Sequence, residues 1–324
     1  MKNNLNLAPL NPCPTKKRTA ALPSLGARGP YDFERSFKRI VCAVVATHHP
    51  KMGQRAVRLD GGEFALALRV RGKPVLVGLR QEANGMVQPR LRVGGLSQRD
   101  QDRLLARLRR ILCLDHDLDD FYETVAGEPA LAHLTHHYRG LRLVLTPTAF
   151  QGLVHAILFQ QISYVAAQTV ENRLTARWGD SLSDGDRRYP LFPTPERLAV
   201  LDVAALRALG IPARKAQAIL TVAGQTVAGT LDLEVLAEQG DVDHVARRLE
   251  SIDGIGPWTA HHVIIRGMGM KDCLPTEDPG LRRAVAEQYG LTPPVGAAQL
   301  RKLADRWRPW CSYASYYLWN TFWE

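Results

Sequence analysis

The sequence predicts an α+β fold: an antiparallel sheet carrying one helix, followed by a long all-helical region. Three observations carry that reading. Apolar residues alternate with period two through much of residues 31–93, as in half-buried strands. From Ser97 onward the apolar spacing becomes that of a helix. The charge changes sign soon after. Residues 1–114 hold 22 Lys/Arg against 7 Asp/Glu, a net of +15, whereas residues 115–324 hold 20 against 25, a net of −5.

Residues 1–30 are rich in Pro, Asn and Lys and have no apolar period. They are expected to form a disordered basic tail, with Lys16, Lys17 and Arg18 solvated rather than an address. The first domain is expected over residues 31–115. Its strands read as Ile40–Ala46, Arg55–Leu59, Glu63–Val70 and Val75–Leu79, split by the turn signals Asp60-Gly61-Gly62 and Arg71-Gly72-Lys73-Pro74. That pattern is an antiparallel meander. Ser97 is placed as an N-cap opening a helix from Gln98 to about Leu112, with Leu104, Leu105, Leu108, Ile111 and Leu112 as its apolar stripe.

The second domain, residues 116–324, reads as helical almost throughout. Helices are expected over 149–178, 202–209, 212–228, 241–250, 258–267, 279–289 and 297–306, punctuated by Pro193-Thr194-Pro195 and Thr292-Pro293-Pro294.

Several function classes are disfavoured by composition. No apolar run reaches the length of a membrane span, and the N-terminus lacks a signal-peptide core. Five scattered cysteines, without paired spacing, predict free thiols in a reducing, cytoplasmic setting and no iron–sulfur loop. There is no phosphate-binding nucleotide loop or dinucleotide fingerprint. His133, His136 and His137 have helical spacing that suits zinc, but no carboxylate or cysteine set accompanies them. A surface helix explains them better, and no metal is expected. The net charge of +10 fits a polyanionic partner. The basic N-terminal third reads either as solvated faces plus a tail or as a source of DNA phosphate contacts.

The most informative stretch is Leu249–Ala260, followed eighteen residues later by Asp278-Pro279-Gly280. Gly254 and Gly256 flank Ile255 in a tight turn, where glycine permits left-handed backbone angles and bares amide N–H groups. Pro257 suits a first helical position. Such a helix N-terminus favours an anion, phosphate above all. Asp278 before Pro279 reads as an N-cap, and on the residues alone that structural role is the stronger one.

This stretch resembles the hairpin of the helix-hairpin-helix DNA glycosylases, with its closest likeness to the DNA-3-methyladenine glycosylase II, alkylation-repair branch. Three further blocks support the resemblance: Ala156–Ser163, Leu209–Ala216 and Arg306–Ala314. It runs through nearly the whole chain after residue 30. The family fold implies a two-lobed all-α glycosylase domain with the active cleft between the lobes. Asp278 stands where the family keeps its catalytic aspartate, and a capping role would fix its rotamer for that task. Glu277 is expected to point elsewhere. Trp258 occupies the hairpin position that carries a Schiff-base lysine in lyase relatives, so the resemblance implies hydrolysis without lyase activity.

The resemblance also implies a base pocket of Trp258, Trp310, His262 and Gln160, in which aromatic faces attract a cationic base. Both tryptophans have core filling as the plainer alternative. His262 replaces the tyrosine of the best-known bacterial pattern, leaving the preferred lesion open, while His261 reads as a helix-surface residue. Gln161 falls at the wedge position of the intercalating loop, next to Ile162, with an ordinary helix–helix turn as the alternative. Gly254, Ile255, Gly256 and Thr259 are expected to hold a phosphate, and Lys215 either approaches the DNA backbone or is solvated. Backbone carbonyls of Glu250, Ile252 and Ile255 match a family site for a structural monovalent cation. No other cofactor is expected.

The expected function is removal of alkylated purines, of the 3-methyladenine and 7-methylguanine type, from duplex DNA by a monomer. The competing expectations are a glycosylase for deaminated or oxidised bases, and a binder of distorted DNA that does no chemistry.

Overall fold

In the computed structural model the described residues are 11–12, 17–37 and 56–322. They fall into two compact units that interleave along the chain. One comprises Met1–Leu25, Phe37–Arg107 and Ile157–Leu231; the other comprises Gly26–Ser36, Leu108–Ala156 and Asp232–Glu324. The linear break expected at residues 115/116 is therefore not where the units divide.

The first unit holds two sheets. Strands β1 (Asn11–Pro12), β2 (Lys17–Ala21), β3 (Ala56–Arg58), β4 (Phe64–Val70), β5 (Lys73–Gln81), β6 (Val87–Val93), β7 (Asp180–Asp184) and β8 (Arg187–Leu191) arrange as β2-β6-β5-β4-β3 and β1-β7-β8. The five-stranded sheet is antiparallel throughout, as the period-two pattern predicts. Its central hairpin pairs Val70 with Lys73 across Arg71 and Gly72, whose φ angles of 49° and 76° are those of a primed two-residue turn.

Strand β4 is buried on both faces, so its alternation is muted. The reason is the hairpin β7–β8: Leu182, Tyr189 and Leu191 cover Ala65, Ala67, Leu76 and Val93 on the second face. That hairpin lies inside the region read as helical. Its turn signal, Gly185-Asp186 after Asp184, sits between strands too short and polar to show a period. Arg92 ties the two layers, meeting Asp184 at 2.7 Å and Glu63 at 3.1 Å.

Two other expectations are corrected. The tail is not disordered throughout residues 1–30. Residues 17–21 form β2 against β6, Leu25 bridges Val87, and Leu22 and Leu25 are buried. The helix expected over 149–178 is two helices, Ala149–Phe159 and Tyr164–Trp178, with Ser163 capping the second through Ala166 N. The strand expected over Arg55–Leu59 is present as Ala56–Arg58, while Arg55 and Ile40–Ala46 lie outside the described residues. The Ser97 cap holds, accepting from Asp100 N at 3.2 Å.

The second unit is helical, and aspartates open several of its helices. Asp117, Asp232 and Asp241 cap Leu118–Thr124, Leu233–Glu238 and Val242–Glu250 through their side chains. Its core is aromatic: Phe121, Tyr138, Trp310, Tyr313 and Tyr317 are buried together. Buried Arg142 donates through its two terminal nitrogens to backbone carbonyls, Cys113 O at 2.8 Å and His116 O at 2.7 Å and also Arg28 O, while its Nε is left without a partner among the described residues. Cys113, Cys273 and Cys311 are free and buried. Among the described residues no helix is long and apolar enough to cross a membrane.

Candidate active site

Asp278 is held on three sides. It is the N-cap of Pro279–Tyr289, and its Oδ1 accepts Leu281 N at 2.7 Å. Oδ1 also accepts the indole N–H of Trp319 at 3.0 Å, and Oδ2 accepts that of Trp258 at 2.7 Å. The cap predicted from Asp-Pro is thus realised, and it fixes the carboxylate beside the helix that leaves the hairpin. Hydrogen bonds to an ionised acceptor are the strong class. Glu277 points away, as expected. It accepts from Thr276 Oγ1 at 2.7 Å and lies 3.2 Å from His261 Nδ1. His261 is consequently no free surface residue.

Trp258 and His262 lie one helical turn apart on Pro257–Val263 and its π-helical continuation Ile264–Met268. Side chains four residues apart share a helix face, and here the rings stack at 5.0 Å with a 22° tilt. His155 stacks on His262 in turn, at 6.1 Å and 18°. It reaches that position because its helix passes very close to the π-helical turn. A Cβ on Gly152 would stand 2.8 Å from Gly267 Cα, so only glycine at 152 fits this approach. Burial, then the Arg266 guanidinium, push the His262 imidazole down to about 4 from 6.5, opposed only by Asp278. The ring is therefore neutral at neutral pH.

The hairpin between Glu250 and Pro257 matches the sequence reading in part. Gly254 takes φ +87°, a left-handed angle. Gly256 does not: it has φ −99° and is the N-cap of Pro257–Val263. It is exposed, and a Cβ there would meet nothing within 4 Å. The fold itself therefore tolerates a side chain at 256, and the bare glycine leaves room for something outside. Two expected phosphate contacts are corrected. Ile255 N donates to Ile252 O at 3.0 Å, closing the turn, and the Ile255 side chain is buried. Thr259 is only 2% exposed and faces the interior.

Trp310 is also corrected. It is 1% exposed, with its N–H on Asp120 Oδ2 at 2.9 Å and its ring packed against Phe121 and Tyr313. Lys271 Nζ stands 4.4 Å from its ring centre. Trp310 is a core residue here, the plainer of the two sequence readings.

Gln160, Gln161 and Ile162 belong to the first unit, in the turn between Ala149–Phe159 and Tyr164–Trp178. Gln161 has φ +53° and is exposed, and Ile162 is 42% exposed. Lys215 underpins this turn, its Nζ donating to Leu158 O at 2.8 Å and Gln160 O at 2.7 Å. It is neither solvated nor extended toward a partner, and burial lowers its ammonium pKa. His133 and His137 stack on one helix, and no metal-competent cluster occurs among the described residues.

The structure brings Asp278, Trp258 and His262 into contact and adds Trp319 and His155, which sequence reasoning missed. A tryptophan sixty positions from the hairpin and a histidine in an apolar helix carry no local signal. Only the tertiary packing reveals them.

Residues 154–309 match the HhH-GPD superfamily of base excision DNA repair proteins. DNA-3-methyladenine glycosylase 2 of Escherichia coli is 38% identical over 217 residues, spanning 67% of this chain and 71% of that protein. A DNA-3-methyladenine glycosylase of Bacillus subtilis is 30% identical over 207 residues, 64% and 68% of the two chains. The structure of a 3-methyladenine DNA glycosylase from Archaeoglobus fulgidus superposes with a TM-score of 0.78 at 26% identity, covering 92% of this chain and 97% of that one. By the capped aspartate beside the hairpin and by these likenesses, the chain belongs to the HhH-GPD superfamily of base excision DNA repair proteins.

Proposed function

We propose that this protein is a monofunctional DNA glycosylase that flips alkylated purines out of duplex DNA and hydrolyses their N-glycosidic bonds. The observation that carries the reading is the Asp278 carboxylate, locked by its cap and bonded to the Trp258 indole, which itself stacks on a neutral His262. Cleaving an N-glycosidic bond builds positive charge on the sugar. A preorganised carboxylate stabilises that charge and orients the attacking water. An aromatic wall attracts an alkylated, cationic base by about 0.5–2 kcal/mol, and a neutral His262 does not oppose it. A quaternised base is already a good leaving group, so no strong general acid is required.

The remaining assignments support the same reading. The exposed hairpin glycine Gly256, beside left-handed Gly254, leaves room for a DNA phosphate to approach the backbone. Exposed Ile162, with Gln161, supplies the plug for the gap left by a flipped nucleotide, whose extraction costs a few kcal/mol. Trp258, in place of the Schiff-base lysine, removes the nucleophile a lyase needs. A monovalent cation would be held by the carbonyls of Glu250, Ile252 and Ile255, that of Ile252 shared with the Ile255 amide. The protein is proposed to act as a cytoplasmic monomer, without a redox cofactor.

The test is incubation of the protein and its Asp278→Asn variant with methylated duplex DNA, identifying released bases by mass. Release of 3-methyladenine or 7-methylguanine by the wild type alone supports the reading. Faster release of hypoxanthine than of methylated purines replaces the substrate class. No release, with abasic-site DNA still bound tightly, replaces the enzyme with a binder. A borohydride-trapped covalent adduct on abasic DNA would contradict the absence of lyase activity.

A further inference from the structure

We propose that Trp319 is a positioning residue for Asp278, selecting Oδ2 as the oxygen that faces the reacting sugar; this rests on the catalytic reading of Asp278 above. The argument is an inventory of lone pairs. An ionised carboxylate offers about four acceptor directions. Oδ1 accepts Leu281 N at 2.7 Å and Trp319 Nε1 at 3.0 Å, which fills it. Oδ2 accepts only Trp258 Nε1, at 2.7 Å, among the described residues. One acceptor direction is left, and it belongs to Oδ2.

The indole of Trp319 does what the cap cannot do alone. A single hydrogen bond from Leu281 N leaves the carboxylate free to rock about its Cβ–Cγ bond, because that terminal torsion is broad. Indole donors on both oxygens, from different helices, stop the rocking. Trp319 comes from Cys311–Asn320, forty-one positions along the chain, and is partly buried. Gly280 keeps the space beside Oδ1 open: a Cβ there would lie only 3.1 Å from Asp278 Oδ1, while the Trp319 ring, at 3.8 Å, stands at ordinary contact distance.

The test is a double-mutant cycle of Trp319→Phe and Asp278→Asn, read by single-turnover base release from methylated duplex and by binding of abasic-site duplex. Phenylalanine keeps a ring and removes the donor. Trp319→Phe is expected to slow release at least about tenfold while leaving abasic-DNA affinity within about twofold, the lower end of what one hydrogen bond to a charged group contributes. In the Asp278→Asn background it is expected to have no further effect on the rate, because its action passes through the carboxylate. Equal slowing in both backgrounds, or no slowing, overturns the proposal.

A second measurement needs neither activity nor the Phe variant to fold. The indole N–H resonance of Trp319 is expected to move, and to exchange faster with water, on Asp278→Asn substitution. An unmoved resonance overturns the assignment. Should the wild type release no methylated base at all, the functional reading fails and the resonance alone decides the contact.

Discussion

The indole N–H of Trp258 reaches Asp278 Oδ2 at 2.7 Å, joining the hairpin to the carboxylate across twenty positions of sequence. This bond gives Trp258 two tasks, since its ring also stacks on His262. Trp258→Phe separates them by keeping an aromatic face and deleting the donor. A hydrogen bond to a charged group is worth about 1.5–3 kcal/mol, and about 1.4 kcal/mol corresponds to tenfold in rate. Single-turnover base release by Trp258→Phe is expected to fall at least about tenfold, with abasic-DNA affinity retained. An unchanged rate would show that the bond is incidental and the face alone matters.

His262 makes stability depend on pH in a defined window. Its folded-state value lies near 4, below the ordinary 6.5, with burial as the main cause, the Arg266 charge next and Asp278 opposing. The unfolded chain therefore binds the proton first as pH falls, so stability present above pH 6.5 is lost progressively down to pH 4. For one such group the loss at pH 5 is about 2 kcal/mol. His116 shares the window, also pushed down to about 4, by burial and by Arg142. His262→Phe is expected to lose less stability than wild type between pH 7 and pH 5, measured by urea unfolding. Parallel losses in the two proteins would mean that the folded imidazole titrates normally.

Lys215 is expected to act on the Gln160–Ser163 turn rather than on DNA. Its ammonium donates to Leu158 O, at the end of Ala149–Phe159, and to Gln160 O, a favourable place for a cation at a helix C-terminus. Lys215→Met should cost about 1–2 kcal/mol in urea unfolding. It should leave the salt dependence of DNA binding unchanged, whereas loss of a phosphate contact would lower that slope by about 1. A reduced slope with unaltered stability would restore the phosphate reading.

What was legible in the sequence follows from how local its causes are. The N-cap Asp278-Pro279, the left-handed Gly254 and the primed turn at Arg71-Gly72 are each written in two or three neighbouring residues, and each is observed. The hairpin β7–β8 was not legible. Its strands are short and polar, and the face they cover belongs to strands far earlier in the chain, at Ala65, Ala67, Leu76 and Val93. Thr259 and Ile255 show a subtler limit. Family position located them on the hairpin, but which way a side chain or amide faces depends on packing that the local residues do not encode. Trp319 had no signal at all beyond being a tryptophan near the end of the chain.

Trp310 distinguishes core packing from base recognition most sharply. Its indole is 1% exposed, bonded to Asp120 and packed against Phe121 and Tyr313, with Lys271 over its ring. As a core residue, Trp310→Ala should destabilise the protein by about 3–5 kcal/mol, through lost burial and the cavity left behind. Asp120→Ala should cost about 1–3 kcal/mol by stranding the buried N–H, although Asp120 lies far from the hairpin in sequence. Both are checked by urea unfolding, with single-turnover base release measured on whatever fraction stays folded. The core assignment expects stability to drop while the folded fraction still excises methylated purines. Full stability with excision abolished would mean instead that Trp310 turns out of the aromatic cluster to meet the base.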